Sequence, residues 1–368
     1  MKKIALLTSS RADYSIYLPL IRQLDKQQNI QLDIIAFGTH LLEKYGYTVK
    51  NIEQDGFNVA YKVKTDLLGD DALSVSKTMG QTLTNFADIW HDNNYDLIIC
   101  LGDRYEMFAA VASAVAFNID ICHIHGGETT LGAIDNKFRH GLSLFSSLHF
   151  TTNNVYKNRV VEIMGSGKNI YNTGALSVDN LKHLKLMSKH EFLQKFNIDI
   201  SLASILITFH PETVALDKNA QYADELINAL QEISDYQKII TMPNADTQGN
   251  VIRDKIEKYA KNNQDVKTIE SFGTIGYLTC MKHCAMLLGN TSSGFVEAAF
   301  FPKYVINIGD RQKGRLITDN ILNTKISKSE IIKAVKKVST LGEIKSQNIY
   351  GDGDAAKKMT NHILDFLN

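Results

Sequence analysis

Proline and cysteine are both scarce in this chain of 368 residues, four of each, and tryptophan occurs once. So few cysteines make no disulfide scaffold at this length and fit a reducing compartment. Cys100 and Cys122 fall inside apolar strand-like runs, where a thiol behaves as a small hydrophobe. Cys280 and Cys284, with His283 between them, have the look of metal ligands, but structural zinc wants two close pairs and no second pair accompanies them. Charge of one sign is also lacking, since 40 basic residues balance 40 acidic ones. No global field therefore draws the chain to nucleic acid or to an anionic membrane. No stretch approaches the ~18 apolar residues of a membrane span. Met1-Lys2-Lys3 begins as a signal peptide does, yet the apolar stretch behind it ends at Thr8, too short for an h-region; a cytoplasmic protein is expected. The fingerprints GxGxxG and GxxxxGKS/T are missing as well, so neither a standard dinucleotide loop nor a P-loop is claimed. There is no short-period repeat and no low-complexity tract.

What is present is the composition of a soluble globular protein, 44% hydrophobic and 22% charged. The length favours two hydrophobic cores over one. In the first half, apolar runs predict strands at Ile4–Thr8, Gln31–Phe37, Phe57–Lys64, Leu97–Leu101, Ile121–His125, Leu148–Thr151 and Ile170–Asn172, alternating with helical patterns. In the second half they predict strands at Ile205–Phe209, Lys238–Met242, Val266–Ile269, Ala285–Leu288 and Tyr304–Ile308, with a helix at Ser293–Phe300 before the last. Such alternation argues for an α/β fold, two Rossmann-like doubly wound domains facing a central cleft. The expected first domain is 1–177 and the second 178–353, with the Lys-rich Val178–Ile200 as the bridge. The terminal helix, 354–368, carries Met359, Ile363, Leu364 and Phe366 and is expected to pack back on the first domain.

Five polar islands follow predicted strands, and parallel sheets bind ligands beyond the carboxyl ends of their strands. Ser9-Ser10-Arg11-Ala12-Asp13 opens the first helix, where orphan N–H groups favour an anion and Arg11 offers a bidentate phosphate partner. The plainer reading is an ordinary helix cap through Asp13 or Ser15. Gly289-Asn290-Thr291-Ser292-Ser293-Gly294 has the small residues and hydroxyls that surround a diphosphate, with Glu297 one turn on, placed to accept from a ribose hydroxyl. Asp103, followed by Arg104, and Glu128, freed by two glycines, are the candidate catalytic carboxylates. Asp135 and Arg139, four residues apart, suit an ion pair at a helix start. His123 and His125, two apart on a strand, point to the same face. That arrangement suits a metal, although strand histidines are more often hydrogen-bonded core residues. His210 closes an apolar strand before Pro211, either packed there or free to assist departure of a phosphate-type leaving group. Together the islands suggest an enzyme that handles a phosphorylated ligand.

Taken in order, several motifs resemble one family. They are Arg11-Ala12-Asp13, Gly102-Asp103-Arg104, His123-Ile124-His125-Gly126-Gly127-Glu128, and Ile134-Asp135-Asn136 with Arg139-His140. Phe209-His210-Pro211-Glu212-Thr213, Asn244-Ala245-Asp246-Thr247, Gly289–Gly294 and Gly309-Asp310-Arg311-Gln312 complete the set. Across nearly its whole length the chain resembles the hydrolysing UDP-N-acetylglucosamine 2-epimerases of bacterial sialic acid biosynthesis. The resemblance implies a glycosyltransferase-B-like fold, with the nucleotide held mainly by the second domain. It implies conversion of UDP-GlcNAc and water into N-acetylmannosamine and UDP, with no cofactor and no metal. Asp103, Glu128, Asp135, Arg139 and His210 fall on the family's active-site pattern. Arg11, Ser15, Arg104, Asn244, Ser292, Ser293, Glu297 and Arg311 fall on positions associated with UDP, in a loop that also includes Thr291 and Gly294. Thr291 stands where relatives often carry serine and keeps the hydroxyl. The Gly-Gly-Glu run sides with the hydrolysing branch, since non-hydrolysing relatives typically carry Glu-Ala-Gly. The implied partners are a UDP-sugar and further copies of the chain, as a homo-dimer or homo-tetramer. The nearest rival is a UDP-N,N′-diacetylbacillosamine 2-epimerase, whose sugar differs at carbons 4 and 6. More distant rivals are a non-hydrolysing epimerase, a glycosyltransferase, a metal-dependent hydrolase on His123 and His125, and a nucleotide-sugar sensor.

Overall fold

The computed structural model describes residues 1–66, 69, 71–129, 131, 133–212, 216–243 and 249–368. The elements run β1 (Lys2–Thr8), α1 (Arg11–Leu24), β2 (Ile30–Phe37), α2 (Val49–Gln54), β3 (Val59–Val63), α3 (Ala72–Asp92) and β4 (Leu97–Leu101). Next come α4 (Tyr105–Val115), β5 (Ile121–Ile124), α5 (Asp135–Phe145), β6 (Leu148–Thr151), α6 (Asn154–Met164), β7 (Ile170–Asn172) and α7 (Leu176–His183). The second half holds α8 (Lys189–Phe196), β8 (Ser204–Thr208), α9 (Asn219–Glu232), β9 (Gln237–Thr241), α10 (Gly249–Lys261) and β10 (Val266–Ile269). It ends with α11 (Gly273–His283), β11 (Met286–Gly289), α12 (Glu297–Phe300), β12 (Val305–Ile308), β13 (Ile321–Thr324), α13 (Lys328–Ser339) and α14 (Ala355–Leu367).

Two compact units result, one of residues 1–128, 135–182 and 349–368, the other of 129–134 and 183–348. The first holds a seven-stranded sheet in the order β3-β2-β1-β4-β5-β6-β7, the second a six-stranded sheet in the order β10-β9-β8-β11-β12-β13. Every pairing is parallel. The strand order reverses between β1 and β4 in the first sheet and between β8 and β11 in the second. In open α/β sheets a crevice forms beyond the strand ends at such a reversal. Helices cover both faces, so β4 reads as an uninterrupted buried run, Leu-Ile-Ile-Cys-Leu. Side chains alternate across the sheet: Ile4 and Leu6 join one apolar cluster while Ala5 and Leu7 join the other. The second unit repeats this with Ile205 and Ile207 on one face and Leu206 on the other.

Helix α14 lies in the first unit, where Met359 and Ile363 pack in the same cluster as Leu20 and Leu24 of α1. Its first two amides, Ala355 N and Ala356 N, donate to the Asp179 carboxylate at 2.9 and 2.7 Å. One expectation is corrected. Ser293–Phe300 is not a continuous helix but a single tight turn, Ser292–Gly294, followed by the short α12. Ser-Ser-Gly-Phe-Val is a sequence of poor helix formers, and a Cβ on Gly294 would lie 2.9 Å from Val305 Cγ1. All four cysteines are buried and free, and burial pushes the thiols up, Cys284 to about 12. Among the described residues no helix is long and apolar enough to cross a membrane.

Candidate functional site

In the first unit the polar islands sit where β1, β4 and β5 end. Beyond β1, Ser10 caps α1: its hydroxyl accepts from Asp13 N while the Asp13 carboxylate accepts from Ser10 N at 3.1 Å. Asp13 also takes Ser9 N at 3.0 Å and the Ser9 hydroxyl at 2.7 Å. Two amides read as anion donors are thus already occupied, and the plainer capping reading holds for Asp13. Arg11 is the first helical residue and Ser15 lies one turn on, its carbonyl accepting from Asn180 Nδ2 at 2.7 Å. His40 supports the loop from below, with Nε2 2.9 Å from the Thr8 hydroxyl and Nδ1 2.8 Å from that of Thr48. Burial depresses His40 to about 4, so it is neutral near pH 7.

Beyond β4, Gly102 turns with φ +80° and presents Asp103. Beyond β5 the chain turns through His125 and Gly127, at φ +69° and +77°, to reach Glu128. Gly127 is required here, since a Cβ would lie 2.3 Å from the Tyr156 carbonyl oxygen. Arg139, buried on α5, connects the two ends: one guanidinium nitrogen pairs with Asp103 Oδ2 and the other donates to the Glu128 carbonyl at 3.0 Å. The Glu128 carboxylate, also buried, accepts from the Thr152 hydroxyl at 3.3 Å and lies 3.3 Å from His125 Nδ1. Asp135 is the first residue of α5, one turn before Arg139. Arg104 stands at the N-cap position of α4 without a side-chain capping bond, its guanidinium 3.0 Å from the buried Glu106 carboxylate.

His123 and His125 do not share a face as strand alternation implied. Strand β5 stops at Ile124, and the left-handed backbone of His125 rotates its side chain toward Glu128. His123 stays in the core, with Nε2 2.9 Å from the Gly102 carbonyl and Nδ1 3.0 Å from the Ser143 hydroxyl. A carbonyl only accepts, so Nε2 carries the proton and Nδ1 accepts from the serine. Burial holds His123 down at about 3, a neutral ring that steadies the turn before Asp103. Among the described residues no three His, Cys, Asp or Glu side chains group to hold a metal ion.

In the second unit β8 and β11 end side by side. The buried Asn290 side chain grips the His210 backbone, accepting from its N–H at 2.7 Å and donating to its carbonyl at 2.8 Å. Gly289, at φ +145°, has no room for a Cβ, which would fall 1.9 Å from the Thr208 carbonyl oxygen. In the hydroxyl loop Ser293 is bound to the Tyr277 hydroxyl at 2.5 Å and to Thr291 at 3.3 Å, whereas Ser292 is exposed. Glu297 opens α12. The Asn290 carbonyl accepts from Gln312 Nε2 at 2.8 Å and from the Arg311 guanidinium at 3.3 Å. Buried Glu212 accepts from Asp310 N at 2.7 Å and Arg311 N at 3.2 Å, and burial raises its pKa against the pull of those amides. Asn244 lies outside the described residues.

Asp103, Glu128 and Arg139 are therefore brought together in one unit. His210, the Thr291–Gly294 loop and Arg311 are linked through Asn290 in the other. Sequence reasoning cast His125 only as a candidate metal ligand beside His123 and left Thr152, Tyr277, Glu212 and Gln312 without a role. His125, Glu212 and Gln312 stood inside recognised motifs, which was the available signal. Thr152 and Tyr277 have none.

The profile of the UDP-N-acetylglucosamine 2-epimerase family matches residues 22–364. A Campylobacter jejuni protein named GDP/UDP-N,N′-diacetylbacillosamine 2-epimerase (hydrolyzing) is 34% identical over 89% of this chain and 85% of its own length. Polysialic acid biosynthesis protein P7 of Escherichia coli is 34% identical over 91% of this chain and 85% of its own. In fold, the chain is similar to the Neisseria meningitidis UDP-GlcNAc 2-epimerase crystallised with UDP-GlcNAc. The TM-score is 0.81 at 17% identity, over 99% of this chain and 100% of that one.

Proposed function

The chain belongs to the UDP-N-acetylglucosamine 2-epimerase family, and we propose that it is the hydrolysing kind, converting UDP-GlcNAc and water into N-acetylmannosamine and UDP. The supporting observation is the Arg139 bridge, which sets the Asp103 carboxylate and the Glu128 backbone, from the ends of β4 and β5, on one guanidinium. A proton on carbon 2 of a neutral sugar is too weakly acidic for a carboxylate. If the bond from carbon 1 to the diphosphate oxygen breaks first, its electrons leave with UDP and the ring gains oxocarbenium character. A carboxylate then removes the carbon 2 proton, leaving a 2-acetamidoglucal. Water returns hydroxyl to carbon 1 and a proton to carbon 2 on the opposite face. In this reading Asp103, Glu128 and Asp135 handle protons and Arg139 holds their geometry. Arg11, Ser15, Arg104, Asn244, Thr291, Ser292, Ser293, Gly294, Glu297 and Arg311 bind the nucleotide. Positive groups and oriented donors at the departing diphosphate, His210 included, supply electrostatic stabilisation of the kind that usually dominates catalysis.

A second reading keeps the chemistry and changes the sugar to N,N′-diacetylbacillosamine linked to UDP, favoured by the 34% identity to the Campylobacter jejuni protein of that name. Incubation with each nucleotide sugar in deuterated water, followed by NMR of the products, tests both. The expected result is UDP and free N-acetylmannosamine carrying deuterium at carbon 2, formed faster from UDP-GlcNAc. Faster turnover of the bacillosamine compound would select the second reading. A UDP-linked epimer would mean a non-hydrolysing enzyme, and retained hydrogen at carbon 2 would overturn the elimination.

A further inference from the structure

We propose that His125 is a positioning residue for Glu128, and that this contact is what the left-handed backbone at position 125 exists to make. The inference rests on Glu128 acting in proton transfer. Among the described residues the non-glycine positions with positive φ are Tyr47, Asn118, His125, Asn169 and Asn197. Asparagine tolerates this conformation because its short side chain bonds locally, and histidine is found there more often than most residues, but either still carries the steric cost of a Cβ that glycine lacks. Two glycines follow at once, Gly126 and Gly127, so a glycine at 125 would make the same turn without strain. Strain retained where glycine is the easier choice points to a task for the side chain.

That task is visible in the contacts. His125 N donates to the Phe150 carbonyl at 2.9 Å, which anchors the residue to β6 and fixes where its side chain begins. Nδ1 then lies 3.3 Å from Glu128 Oε1, with the imidazole 12% and the carboxylate 3% exposed. The Thr152 hydroxyl approaches the same oxygen at 3.3 Å. A carboxylate so enclosed is aimed by what it bonds, and His125 and Thr152 reach it from the ends of two adjacent strands.

Four variants decide the matter: His125→Gly, His125→Asn, Glu128→Gln and the Gly/Gln double, assayed with UDP-GlcNAc and by thermal unfolding. His125→Gly relieves the strained backbone, so its Tm should equal or exceed that of the wild type. Its kcat should fall by about 10- to 100-fold, with KM within about twofold. His125→Asn, which tolerates positive φ and retains a donor, should recover kcat to within about fivefold of wild type. In the Glu128→Gln background the glycine substitution should add less than about threefold, because the residue it serves is already disabled. A His125→Gly enzyme within about twofold of wild-type kcat, or a full independent loss in the Glu128→Gln background, would overturn the proposal. The same cycle read in unfolding free energy needs no substrate. Coupling there beside a wild type inert toward both nucleotide sugars would sink the functional reading and leave the pairing in place.

Discussion

Arg139 serves two residues with one guanidinium, and only arginine has the shape for it. One nitrogen pairs with Asp103, 36 positions away, while another reaches the Glu128 carbonyl at 3.0 Å. An ammonium group keeps the charge but presents a single point, with no planar fork to span two acceptors. Arg139→Lys should therefore lower kcat/KM by about 100-fold, with Asp103 and the turn before Glu128 no longer held together. UDP affinity, measured by calorimetry, should stay within about threefold, because Arg139 is assigned to the proton-handling cluster and not to the nucleotide. A lysine variant with near-normal turnover would show that the bridge is structural only. Asp103 and Glu128 were legible in sequence because each stands within a few residues of the end of an apolar run, and Arg139 through its four-residue spacing from Asp135. The bridge was not, since local spacing suggested only Asp135 as the partner of Arg139.

At the level of elements, strand ends were readable and helix identities less so. Parallel strands covered on both faces leave uninterrupted apolar runs, and Leu148–Thr151, Ile170–Asn172 and Val266–Ile269 have the bounds the pattern predicted. Edge strand β13 escaped because Ile-Leu-Asn-Thr is only partly buried and mixes polar with apolar residues. Helix α13 was passed over although Ile331, Ala334, Val335 and Val338 show helical spacing along its buried face. Helix α14 was legible from its apolar stripe, but its cap was not, because the cap comes from a different helix. Asp179 on α7 accepts the first two amides of α14 at 2.9 and 2.7 Å. An acid at a helix N-terminus also meets the favourable end of the dipole. Asp179→Ala should reduce stability by about 1–2 kcal/mol, with Asp179→Asn intermediate. Hydrogen exchange should show the loss of protection first at Ala355 and Ala356 and then along α14. Unchanged exchange there would mean that α14 is held by its apolar face alone.

For the whole chain the two units should respond differently to mild acid. Three buried histidines lie in the first unit, His40 and His149 held at about 4 and His123 at about 3, in each case chiefly by burial. The unfolded chain takes up a proton near the ordinary histidine pKa of about 6.5, whereas the folded unit does not until much lower. Between those values the unfolded state binds more protons, so stability falls as pH drops, by about 2 kcal/mol for each histidine from pH 7 to pH 5. In the second unit the partly buried His283 is shifted in the same direction. Glu212 there runs the other way: its folded pKa is raised, so that unit gains stability as pH falls through it. Trp90, the sole tryptophan, is buried in the first unit with its indole N–H on Ser113 at 2.8 Å, so its fluorescence reports that unit alone. Helices and strands of both units contribute to far-ultraviolet dichroism. In denaturant titrations the fluorescence midpoint should drop sharply between pH 7 and pH 5, while a fraction of the dichroism persists to higher denaturant at the lower pH. His123→Asn should reduce the separation, because a group that does not titrate removes one of the three proton sinks. Fluorescence midpoints that coincide at the two pH values would show that the buried imidazoles find protons in the folded state, and the neutral ring beneath Gly102 would then have to be abandoned.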